Sequence, residues 1–139
     1  MIAFEKVKPD ERQITHLYQL LRDRPHQISH RQMPTFEEHA TFVQNNPYRV
    51  WYIVHEDEHM VGSVYLTDQN TIGINIDDRR VETLLSVVIA KIKADFDPLP
   101  AVKSMRAGCF SINVAPTNKP LLNALHNEGF PVSQICFEL

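Results

Sequence analysis

The spacing of apolar positions changes several times along the chain, and each change marks an element. Residues 2–7 read as a short strand before Pro9. Ile14, Leu17, Tyr18 and Leu21 then recur at helical spacing, which predicts an amphipathic helix over 10–23 with one buried face. Pro25 and Pro34 bracket an irregular, histidine-containing loop. Thr35 followed three residues later by Glu38 is a capping box for a second helix, whose apolar side is Phe36, Ala40 and Val43. Asn45-Asn46-Pro47 stops it. Residues 50–55 and 60–67 are rich in Val, Ile, Tyr and Trp and flank the charged turn Glu56-Asp57-Glu58-His59, so they predict a hairpin. A third strand follows over 71–76. Val81, Leu84, Leu85, Val88, Ile92 and Phe96 return to helical spacing until Pro98. Residues 110–114 read as a strand, Pro120 to Gly129 frame a last helix, and 132–137 read as a closing strand.

This order predicts an α/β (α+β) fold, a mixed, mostly antiparallel central sheet flanked by about four helices. The strand, helix, strand unit from Thr71 to Val114 is expected to be a right-handed parallel crossover, which sets the start of its helix beside two strand ends. A length of 139 residues suits one domain, taken as 1–139. With 43% hydrophobic and 22% charged residues, the composition excludes a disordered or fibrous chain. The 14 basic and 17 acidic residues give a net charge of −3, with no basic stripe for nucleic acid and no basic amphipathic helix for a membrane surface. No apolar run reaches membrane-spanning length and 1–7 lacks a signal-peptide core, so a cytoplasmic location is expected. Cys109 and Cys136 fall in strand-like segments and are expected to be buried, reduced thiols.

The residues carry a resemblance as well. Ile28-Ser29-His30, Pro34-Thr35-Phe36-Glu37-Glu38-His39, Phe42-Val43, Asn46-Pro47-Tyr48-Arg49 and Trp51-Tyr52-Ile53 resemble the front half of bacterial acetyltransferases that act on amino sugars. Val61 to Thr67 and Ile72-Gly73-Ile74 continue it, and Asn113-Val114-Ala115-Pro116, Asn118 and Gly129-Phe130 are similar to the fifth strand and fourth helix of the GNAT superfamily of N-acetyltransferases. The resemblance covers about four fifths of the chain. It implies transfer of an acetyl group from acetyl-CoA, as co-substrate, to a primary amine of a small molecule, with an amino sugar, nucleotide-linked or free, as the class it points to. Such chemistry needs a neutral amine, an N–H donor for the oxyanion and an acid for the departing thiolate. The resemblance also places the CoA pyrophosphate on the N-terminus of the helix that begins near Val81.

The chain departs from the family pattern at three points. The family's glycine-containing phosphate loop is replaced by Asp77-Asp78-Arg79-Arg80-Val81-Glu82-Thr83, which has no glycine and three carboxylates; the chain has only four glycines, Gly62, Gly73, Gly108 and Gly129. Arg79 and Arg80 are the residues able to compensate, and Arg79, Arg80, Val81 and Asn118 are the expected cofactor-binding set. Alternatively Asp78 caps the helix and both arginines are solvated. Thr71 stands where many members place a Glu that serves as the general base, and a threonine cannot take a proton at neutral pH. Seven residues beyond Asn118, where a tyrosine acid is common, is Leu125, with His126 one position later. The catalytic groups are therefore left open, with His126 and Asn113 as the candidates. On the acceptor side Ser29, His30, Arg31 and Tyr65 are the expected substrate-binding residues, with Tyr48 and Trp51 as further walls or simply sheet packing.

No metal-ligand spacing is present, and His55 and His59 are expected to be solvated beside the hairpin turn. Two readings compete with the enzyme. One is a catalytically inactive GNAT-fold binding or interaction protein that has lost CoA binding. The other is an interaction subunit in which Ile135-Cys136-Phe137 adds to a neighbouring sheet in a homodimer.

Overall fold

A computed structural model describes residues 1–24 and 32–139. Five strands form one sheet in the order β1 (Ile2–Lys6), β2 (Val50–Glu56), β3 (His59–Leu66), β4 (Thr71–Ile76) and β5 (Ser111–Ile112). The first three pairings are antiparallel and β4–β5 is parallel. Four helices accompany it: α1 (Glu11–Arg22), α2 (Phe36–Gln44), α3 (Val81–Asp95) and α4 (Lys119–Asn127).

Alternation along the strands sorts the core into two layers. Tyr52, Val54, Val64, Leu66, Ile72, Ile74 and Ile76 pack with Val81, Leu84, Leu85, Val88, Ile89 and Ile92 of α3 and with Leu121 and Ala124 of α4. Each such side chain contributes about 1.5–3 kcal/mol when fully buried. Ile53 on the opposite face joins Ile14 and Leu17 of α1 and Val43 of α2, with Trp51 partly buried beside them. The capping box at Thr35 is present, both of its hydrogen bonds formed with Glu38.

Three expectations are corrected. Residues 132–137 form no strand: no neighbouring strand offers them backbone partners, and Ile135 and Phe137 remain 74% and 81% exposed. Both cysteines are consequently exposed, Cys136 in that segment and Cys109 in the loop ahead of β5. His55 is not solvated, because its Nε2 lies 2.9 Å from Oε1 of Glu5 on the adjacent strand.

One buried side chain helps to hold the connection from α3 to β5 in place. Asn70, wholly buried and at φ 63°, donates from Nδ2 to the carbonyls of Leu99 and Ala107 and accepts the Leu99 N–H at its Oδ1. The Asn70 carbonyl also accepts the Ser111 N–H, which sets β5 against the start of β4.

Candidate functional site

The parallel pairing that begins at Thr71–Ser111 ends one step later, at Ile72–Ile112. Beyond it, residues 73–76 of β4 have β3 on one edge and no strand on the other among the described residues. The chain leaves β5 for α4, whose N-cap Asn118 accepts the Leu121 N–H at 3.3 Å. A crevice therefore opens between the C-terminal half of β4, the start of α3 and the start of α4. Its lining includes Ile74, Asn75, Ile76, Val81, Asn118 and Leu121. Arg24, Asn75, Ile76 and Asp78 connect it to a larger cavity of about 360 Å3 that reaches Gln19 of α1 and Met60 of β3.

The α3 end of the crevice carries both attraction and repulsion for an anion. Arg80, the N-cap residue, supplies no side-chain cap, and Asp78 does not cap the helix. The Asp77 carbonyl takes the N–H groups of Arg80 and Val81, while those of Glu82 and Thr83 find no acceptor among the described residues. Free first-turn N–H groups and the helix dipole favour negative charge there. Both arginines of the loop, however, are engaged. Arg79 grips Asp77 through Nε and Nη2, at 3.1 and 2.9 Å, and with its own N–H holds the Asp77 carboxyl down at about 2 against the opposing effect of burial. Arg80 forms a two-pronged pair with Glu56 of β2, Nε to Oε1 at 2.8 Å and Nη2 to Oε2.

On the α1–α2 face the cleft borders an aromatic wall. Tyr65 and Tyr48 stack with centroids 4.0 Å apart and planes 12° from parallel, and Trp51 meets the Tyr48 ring edge-on at 5.1 Å. Tyr65 lies over Gly73, its partner across the β3–β4 ladder, where a Cβ would come within 2.0 Å of the ring. Burial, together with Tyr65, pushes the Tyr48 hydroxyl pKa upward, and Arg24 partly opposes that. The Trp51 Nε1 is buried without an acceptor among the described residues.

Among the expected site residues, Val81 and Asn118 line the crevice together. Tyr65 stands in the aromatic wall, Asn113 is exposed just past β5, and His126 is exposed on the last turn of α4, outside the lining. Ser29, His30 and Arg31 lie outside the described residues. Arg24 and Asn75 were not singled out by sequence reasoning. The signal for Asn75 was there, since it continues the Thr71, Gly73 register opposite the apolar Ile72, Ile74, Ile76 face. Arg24 offered only its place at the end of an amphipathic helix. Among the described residues no cluster of His, Cys, Asp and Glu could hold a metal ion. No described helix is long and apolar enough to cross a membrane.

No protein-family model and no curated protein matches the sequence. Solved structures do. A domain from Methanocaldococcus jannaschii DSM 2661 aligns with 96% of this chain and 90% of its own, at 14% identity and a TM-score of 0.67. The Campylobacter jejuni N-acetyltransferase PseH, in complex with acetyl coenzyme A, aligns with 98% of this chain and 92% of its own, at 14% identity and a TM-score of 0.63. An aminoglycoside acetyltransferase from an uncultured soil metagenomic sample, in complex with sisomicin, covers 99% and 96% at 11% identity and 0.56. These superpositions show that the chain has the fold of the GNAT acetyltransferases.

Proposed function

We propose that residues 1–139 act as one cytoplasmic domain that transfers an acetyl group from acetyl-CoA to a primary amine of a small molecule, with an amino sugar, free or nucleotide-linked, as acceptor. The observation that carries this reading is the unpaired edge of β4 over residues 73–76, facing the starts of α3 and α4. An extended amide-containing arm can add to such an edge as a further strand would, each amide meeting a backbone group. The free N–H groups of Glu82 and Thr83 suit phosphate at the far end, with Val81 and Asn118 as flanking walls. Arg79 and Arg80 are bound to carboxylates, so phosphate would have to compete for them. The acceptor would enter beside Tyr65 and the segment holding Ser29, His30 and Arg31. His126 and Asn113 remain the candidate catalytic residues, and both are exposed.

The engaged arginines and the glycine-free loop support a second reading, a GNAT-fold binding protein without turnover. A homodimer built through the C-terminal segment fits either, since Val132, Ile135 and Phe137 are all exposed. The deciding experiment incubates the protein with acetyl-CoA and a panel of primary amines, amino sugars included, and follows free CoA and the acetylated amine by mass spectrometry. Protein-dependent formation of both is expected. Acetyl-CoA left intact across the panel, while amines still bind, would establish the binding protein instead.

A further inference from the structure

Arg24 is unusual among the described arginines. Arg12, Arg22, Arg49, Arg79, Arg80 and Arg106 each have a carboxylate or carbonyl oxygen for the guanidinium. The Arg24 guanidinium has none among the described residues, although it is partly buried and lines both the crevice and the larger cavity. Burial lowers its pKa, and its electrostatic neighbours are the tyrosines Tyr65 and Tyr48. The carboxylates that share the larger cavity are already taken: Asp23 lies 3.5 Å from Arg22, Asp77 is gripped by Arg79, and Asp78 has a partner of its own. A guanidinium withdrawn from water with no counter-charge is costly in the empty protein. That cost is offset when a ligand brings an anionic oxygen, because a fork of N–H donors binds phosphate or carboxylate with two aligned hydrogen bonds.

We propose that Arg24 is the anion-recognising residue of the cleft, and that it supplies from the end of α1 the positive charge that Arg79 and Arg80, held by Asp77 and Glu56, do not. The inference rests on the cleft being the ligand site argued above. Two sources fit the chemistry, the phosphates of the acetyl donor and an acidic group on the acceptor.

The test is calorimetric titration of the wild-type chain, Arg24→Gln, Arg24→Lys and the pair Arg79→Gln plus Arg80→Gln. The probes are inorganic pyrophosphate, acetyl-CoA, glucosamine and glucosamine 6-phosphate. At least one phosphate-bearing probe should bind the wild type and lose about tenfold or more in Arg24→Gln, corresponding to about 1.4 kcal/mol. Arg24→Lys should recover part of it, and the loop pair should lose less than Arg24→Gln; a loss in the pair as large as that in Arg24→Gln overturns the assignment. A loss confined to acetyl-CoA assigns the donor. A loss for glucosamine 6-phosphate with glucosamine unchanged assigns the acceptor.

A folding role is separated by the melting temperature without ligand, expected to be unchanged or higher in Arg24→Gln because an unpaired charge has been removed. If the glutamine variant melts lower, Arg24→Met serves as the second neutral replacement. Equal affinity in the neutral variants overturns the proposal, as does a wild-type protein that binds no phosphate-bearing probe. The acetylation assay is read separately. Arg24-dependent anion binding without acetyl transfer sustains this inference and removes the transferase, whereas transfer indifferent to Arg24 does the reverse.

Discussion

At the scale of single residues, Glu5 and Gly73 show how neighbours set what a side chain can be. Burial would raise the Glu5 pKa, but hydrogen bonds from Gln13, Arg12 and His55 outweigh it and hold the carboxyl at about 2. Its folded pKa lies below that of an unfolded chain, near 4.3, so its contribution is complete above that value and is lost as pH falls toward 2. Glu5→Gln should cost about 1–2 kcal/mol at neutral pH. It should also flatten the loss of stability between about pH 4.5 and 2 in urea titrations, whereas an unchanged acid slope would mean that Glu5 is not an acid-sensitive link. Gly73 is required by contact, since Tyr65 occupies the space a methyl would take. Gly73→Ala should cost about 1–3 kcal/mol by displacing that ring, and much less in a Tyr65→Ala background. Additive costs in the double-mutant cycle would place the strain elsewhere.

At the scale of elements, Asn70 ties the loop before β5 to the start of β4 and so fixes where the two strands part. Asn70→Ala leaves two carbonyls and one N–H without their partner and puts a less tolerant residue at positive φ. A loss of about 2–4 kcal/mol is expected in chemical denaturation, with an altered β4–β5 opening reported by amide shifts of residues 71–76. A stable variant with unchanged shifts would show that the loop is held by other means. Elements of this kind were largely legible in the sequence. The period of α3, the Thr35–Glu38 box and the bounds of β4 all emerge from local spacing, which is the information a local pattern contains. The closing strand was not: 132–137 carries the strand-favouring residues Val132, Ile135 and Phe137, but strand formation depends on a partner edge, which local residue types cannot report. His55 failed for the same reason, its partner Glu5 lying fifty residues away in sequence.

At the scale of the whole molecule, the sequence indicated the fold and the position of the cleft, and left its electrostatics unread. Loop composition suggested two arginines available to phosphate, yet Glu56, which captures Arg80, comes from another strand, and Arg24, whose guanidinium has no partner among the described residues, reaches the crevice from the end of α1. Under the proposed function, the crevice beside β4 is the feature on which donor binding would depend. Without glycines near the helix start, affinity for acetyl-CoA should be weak, with a dissociation constant on the order of 1 mM, about 4 kcal/mol of binding energy. The most direct test is an amide-resolved NMR titration of the intact chain with acetyl-CoA. Donor binding in this crevice predicts saturable shifts concentrated at Gly73, Ile74, Asn75 and Ile76 and at the Glu82 and Thr83 amides. Shifts absent at several times that concentration, or clustered away from β4 and the start of α3, would contradict it.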